Sequence, residues 1–235
     1  MTVNIPTDAM SNVQMLLRWL HLLAGITWIG ILYFFNLVNV DFMKSLDAAT
    51  KTKVVPQLMP RALWWFRWGA ALTVLSGFLY YVIILHAEPH PGPAMLTWLV
   101  LVVAAYAVLY TLLRPSQGAL NKGQTLAVAV AILTAVFIAL LLAFNGRDTA
   151  STRSLSIGIG GGMGIFMFLN VWLIIWPNQK KIIAWTQEAA EKGASMPPEA
   201  AKLARQAFLA SRTNAWLSVP MLFFMAAASH FPLFG

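Results

Sequence analysis

"LLRWLHLLAGITWIG", residues 16–30, decides how this chain is read. Almost every residue in it is apolar or small, yet it carries Arg18 and His21 three positions apart. Extended to residues 14–38, the run is long enough to cross a bilayer core of roughly 30 Å. An arginine and a histidine spaced three apart share one face of a helix. The stretch therefore predicts a membrane helix with a charged residue and a titratable one on the same side.

The rest of the sequence repeats the pattern. Only 10% of the 235 residues are charged and 59% are hydrophobic, where a soluble domain carries about 25% charged residues. Mean hydropathy is +0.70. We expect an all-α, polytopic transmembrane bundle of about six spans, near 14–38, 66–86, 95–113, 124–145, 154–176 and 214–233. Pro115, Pro177 and the "PHPGP" at 89–93 read as helix stops. The segment 39–65 reads as a loop with a short interfacial helix. Within 178–213, "PPEAAKLARQAFLASR" reads as an amphipathic surface helix. Nothing marks a second domain, so 1–235 is taken as one. The opening "MTVNIPTDAMSNVQ" lacks a basic n-region, so no cleavable signal peptide is expected.

Charge sets the orientation. Of the 16 Lys and Arg, 13 fall in 39–68, 113–123 and 177–212, on one predicted side. Only Arg18, Arg147 and Arg153 remain for the other. Basic residues collect on the cytoplasmic side of membrane proteins. Both termini are therefore expected outside, in the periplasm if the source is a Gram-negative bacterium.

This topology gathers His21, His86, His90 and His230 at the outer face. No carboxylate is expected at the midplane, which disfavours proton- or sodium-coupled transport. The chain has no cysteine, which excludes disulfides, thiolate metal sites and CxxCH haem attachment. An outer-leaflet histidine has a bland reading, an imidazole satisfied by a neighbouring carbonyl. It also has a functional one, an axial ligand of haem b. Arg18, nearer water on the same face as His21, would then meet the haem propionates. His230 or His86 would be the opposite ligand. "HAEPHPGP" sets His86, Glu88 and His90 at alternate positions, as copper or zinc ligands can be, but prolines and a glycine explain it as a turn.

"GIGGGMG", residues 158–164, is glycine-rich within a span and predicts close helix packing. It is no phosphate loop, since no Lys-Ser/Thr follows it. Trp64, Trp65 and Trp68 with Arg61 and Arg67 predict an interfacial belt. No Ser-His-Asp set or carboxylate pair supports hydrolysis.

"LLRWLHLLAGITWIGILYFF", "WWFRWGAALTVLSGFLYY", "NVWLIIWPNQKKIIA" and "SVPMLFFMAAASHFP" together resemble the membrane domain of the bacterial cytochrome-c-linked urate oxidases, or urate hydroxylases. "IIWPNQKK", with Asn170 seven residues before Pro177, is the most specific part. The resemblance implies a multi-span membrane domain in a redox setting, with a periplasmic c-type cytochrome downstream. These 235 residues hold no CxxCH, so that cytochrome domain is expected to be absent from them. Three roles follow as expectations. The chain is a redox subunit carrying haem b and working with a separate c-type cytochrome or larger respiratory or oxidase complex. Otherwise it is a urate-oxidising membrane enzyme, or a cofactor-free accessory subunit.

Overall fold

The computed structural model describes residues 6–114, 119–146 and 150–234. Pro115, Arg147 and Asp148 lie outside the described residues, as do the first five residues and Gly235. Every regular element among the described residues is helical. The helices are α1 (Ala9–Tyr33), α2 (Val40–Ser45), α3 (Ala48–His86), α4 (Pro91–Leu112), α5 (Gly123–Asn145), α6 (Thr152–Asn170), α7 (Trp176–Lys192) and α8 (Ala200–His230). Short π-helical segments, Phe34–Asn39 and Val171–Ile175, join α1 to α2 and α6 to α7 without a break.

Five continuous helical units, Ala9–Ser45, Ala48–His86, Pro91–Leu112, Gly123–Asn145 and Thr152–Lys192, have the length and hydropathy to cross a membrane. The chain is thus a multi-pass membrane protein. The sixth long helix, α8, is less apolar for a visible reason. Its Thr213, Asn214 and Ser218 are fully buried, so these three polar groups serve the bundle interior.

Two polar segments differ from their sequence reading. The stretch expected as a loop is mostly helix: α3 already starts at Ala48, capped by Asp47, whose carboxylate accepts from the Thr50 N–H at 2.9 Å. Pro56 and Pro60 are absorbed inside it. The expected surface helix near 197–212 is the first half of α8, continuous with the sixth apolar stretch. Pro177 ends nothing either. A proline offers no N–H to the turn before it, and here the helix widens to a π segment just ahead of Pro177 and then runs on.

The helix ends sort into two groups. At one end Arg18 of α1, Tyr80 of α3 and Arg153 of α6 meet, and Phe234 beyond α8 donates its N–H to Thr152 Oγ1 at 2.9 Å. Arg205 of α8 reaches the Asn121 carbonyl at the opposite end, where Asn178 of α7 also bonds Gln206. Both described chain ends therefore lie at the same end of the bundle.

The unit built on α6 is the central one: 61% of its apolar window is buried, against 28–33% for the other four. Glycines make this possible. A Cβ on Gly158 would meet the Tyr81 hydroxyl at 2.8 Å, one on Gly160 the Met221 carbonyl at 3.2 Å, and one on Gly162 would collide with the Phe137 ring. The expected close packing is present, but each glycine admits a different neighbour. Gly164 meets nothing within 4 Å. Trp98 fills the gap over Gly158, its Nε1–H donating to that carbonyl at 2.7 Å. Trp64, Trp65 and Trp68 are exposed as a belt should be. Arg67 instead turns inward, with its guanidinium 3.8 Å from the Trp176 ring centroid.

Gly162→Leu should force Phe137 out of its contact with Phe166 and lower stability in detergent by about 1–3 kcal/mol, the usual cost of overpacking. Gly164→Leu should cost much less. Thermal unfolding of the two variants side by side checks this, and equal shifts would refute it.

Candidate functional site

His21 lies on the α1 face that packs against α3. Its Nδ1 is 2.8 Å from the Thr73 carbonyl oxygen. A carbonyl only accepts, so Nδ1 carries the hydrogen and Nε2 keeps its lone pair. Thr73 bonds its own hydroxyl to the Gly69 carbonyl at 2.7 Å, and its C=O accepts from the Ser76 hydroxyl at 3.2 Å as well as from the imidazole. Gly77, one turn further along α3, makes room for the ring: a Cβ there would come within 2.7 Å of His21 Cε1 and Nδ1. Nε2 makes no hydrogen bond among the described residues and is not enclosed. The sequence marked His21 but not the Thr73–Gly77 seat beneath it.

Outward of His21, two arginines converge on one ring. Arg18 Cζ lies 6.0 Å from the Tyr80 centroid and Arg153 Cζ lies 5.8 Å from it. Arg153 also donates to the Tyr80 hydroxyl. Glu88, the carboxylate in the following turn, accepts from the Ser151 and Ser154 hydroxyls. Burial pushes its carboxyl up, but those serine hydrogen bonds outweigh it and hold the group below the usual range.

The other histidines stand apart from this seat. His86 is exposed and nine residues beyond Gly77 on α3, about 13 Å further along the axis at 1.5 Å per residue. His230 is also exposed, but its level matches that of His21. Tyr33 and Ser218 meet at 3.0 Å, and His21 and His230 each stand twelve residues outward of that contact. His90 is exposed, and Glu88 is taken by serines. No group of three His, Asp or Glu side chains fit to hold a metal occurs among the described residues, and residues 87–90 of the "HAEPHPGP" stretch form a turn between α3 and α4.

Deeper in the bundle lies a polar layer that the sequence reading missed. Asn170 Nδ2–H donates to Asn214 Oδ1 at 2.8 Å, and Asn214 Nδ2–H to the Met167 carbonyl at 2.9 Å. Asn36 donates to the Leu32 carbonyl and to Ser211 Oγ, each at 2.9 Å. Asn36 lies within one π-helical segment and Asn170 borders the other, and such segments often mark functional positions. Asn170 Oδ1 and Thr213 Oγ1 are buried without a partner among the described residues. The signal in the sequence was the isolated Asn within apolar runs, as in "FLNVW" and "TNAWL".

Asn214→Ala should therefore destabilise the protein by about 1–3 kcal/mol, because it strands the buried Asn170 amide. Exposed Asn12→Ala should shift unfolding far less. Chemical or thermal unfolding in detergent checks the contrast, and equal effects would refute the role of the layer.

Comparison with known proteins adds the family. The model of the urate oxidase N-terminal family matches residues 45–234, which include His86, His90 and His230 and begin after His21. Neither a curated protein nor a solved structure matches the chain. With the match covering most of its length, this membrane protein belongs to the urate oxidase N-terminal family.

Proposed function

We propose that the chain is an integral membrane redox subunit related to urate oxidation, holding haem b through His21 near the outer face and working with a separate c-type cytochrome or larger oxidase complex. The observation that carries this reading is the state of His21: Nδ1–H is committed to the Thr73 carbonyl and Nε2 is left free. A histidine that ligates a metal almost always donates its other N–H to a carbonyl, carboxylate or water, which fixes tautomer and ring orientation. The donor chemistry at His21 fits the group.

Haem bound there would supply reversible one-electron chemistry. The chain's own residues do the rest. Thr73 holds the imidazole in the ligating tautomer. Gly77 leaves the ring its place. Arg18 sets a positive charge outward of His21, which favours the reduced state of an acceptor nearby and draws carboxylates. His230, at the matching level, is the second residue that would hold the group, in preference to His86. We further infer that the end carrying these residues is periplasmic, in the inner membrane of a bacterium, because the basic residues crowd the other end.

A second reading has its own observation. His21 is already hydrogen-bonded and packed on Gly77, as a purely structural histidine would be. In that case the chain is a cofactor-free accessory subunit. Urate turnover by the chain itself, with added cytochrome c as acceptor, is the outcome that would make it the enzyme.

A dithionite-reduced minus oxidised spectrum of gently purified protein should show Soret and alpha bands. His21→Ala should abolish or convert the low-spin signal, while Arg18→Gln should keep it and lower the midpoint potential. Protein without bands, from cells supplied with haem, would leave the accessory reading in place. As a separate test of orientation, reporter fusions after Gly235 and at Lys192 should report opposite compartments, with the Gly235 fusion periplasmic. Matching compartments would overturn the topology.

A further inference from the structure

The end of the bundle opposite His21 carries two adjoining cavities that the redox reading does not use. The first, about 380 Å³, is lined by Gly123, Gln124 and Ala127 of α5 and by Arg205, Phe208, Arg212 and Trp216 of α8, among others. The second, about 320 Å³, lies beside it. It shares Arg205 and Leu209 and adds Arg114 and Lys202. Among the described residues, four cationic side chains border the pair of cavities and no carboxylate lines either.

None of these cations is paired with a carboxylate among the described residues. The one ion pair among the described residues joins Lys44 and Asp41, far from this site in the chain. Arg205 donates to the Asn121 carbonyl at 2.6 Å, which fixes its side chain between the two cavities. Arg212 makes no hydrogen bond or ion pair among the described residues. It lies 5.3 Å from the Phe208 ring centroid, and Arg205 lies 5.5 Å from the same ring. An aromatic ring orients two guanidinium groups without neutralising them. Below the arginines the walls turn apolar, with Ala127, Leu209 and half-buried Trp216. The apolar wall continues onto the outward faces of α5 and α8, where Val128 and Val219 are exposed.

A ligand for this site must be anionic at the bundle end and apolar towards the membrane centre. We propose that the two cavities bind the headgroup of an anionic phospholipid, with phosphate between Arg205 and Arg212 and acyl chains along Trp216. A lipid with two phosphates, one in each cavity, would use all four cations. Basic pockets between membrane helices are recognised headgroup sites, and each cation near the surface contributes about 1 kcal/mol. The assignment does not depend on haem at His21.

The test uses full-length protein exchanged into nanodiscs of phosphatidylcholine alone or with phosphatidylglycerol or cardiolipin. Readouts are thermal unfolding and native mass spectrometry of retained lipid. The anionic lipids should raise Tm and co-purify, cardiolipin at a stoichiometry near one. Arg212→Gln should weaken retention roughly fivefold, the factor matching one surface cation, with little change of Tm in phosphatidylcholine because it loses no protein hydrogen bond. Lys180→Gln with Lys181→Gln, on α7 at the same end, should retain the lipid as wild type does. Equal retention of all three lipids by wild type would overturn the proposal, as would wild-type retention by Arg212→Gln. Inorganic phosphate that stabilises the protein in phosphatidylcholine as much as cardiolipin does would also overturn it, since the ligand would be a soluble anion.

Discussion

The hydrogen bond from Asn170 to Asn214 joins the central helix to α8 where both are fully buried. In the hydrocarbon region no water stands ready to replace a lost partner, so a polar side chain must find one inside the protein or pay in stability. That requirement orders the inner half of the bundle. Asn214 passes the bond on to the Met167 carbonyl, Asn36 binds Leu32 and Ser211, and Ser218 meets Tyr33. Each pairing is available in only one rotational setting of its helix. Apolar packing alone would leave α8 free to turn, because lipid accepts any apolar face.

The same constraint accounts for the two π-helical segments. A widened turn leaves backbone groups poorly matched, and each widened turn has one face packed in the bundle, Phe35, Asn36 and Asn39 in one and Val171, Ile174 and Ile175 in the other, with Leu37, Val38 and Leu173 exposed on the opposite side. The second precedes Pro177, whose missing N–H would otherwise break the ladder at an arbitrary point. Long helices thus cross polar and proline-bearing stretches without interruption, and the bundle gains rigid rods there.

Hydropathy made the helical class and most of the spans legible, since lipid-facing residues such as Leu22, Leu23 and Ile26 must be apolar whatever they pack against. The histidine worth attention was legible too, because a polar ring in an apolar run is conspicuous. Three things were hidden. The helical character of 48–65 was masked by its polar residues, although the capped start at Asp47 carries the helix through Pro56 and Pro60. The seat of His21 depends on Thr73 and Gly77, which are fifty residues away and unremarkable in sequence. The depth of each histidine required a register between helices: His86 and His230 look alike on a hydropathy trace, and only contacts such as Tyr33 with Ser218 tell them apart.

Gly77 has a consequence for the history of the chain. Its hydrogen and the imidazole of His21 occupy adjoining space so closely that the two positions cannot drift separately. A chain that acquires any side chain at 77 must first surrender the ring at 21, or swing it away from the Thr73 carbonyl. Among relatives whose opening helix aligns with this one, the residue at 77 is therefore a tell for the one at 21. Histidine should travel with glycine, and a branched residue at 77 should travel with something small on α1. A single small position far along the sequence reads out whether the imidazole is still seated, even where the opening helix itself has changed beyond recognition.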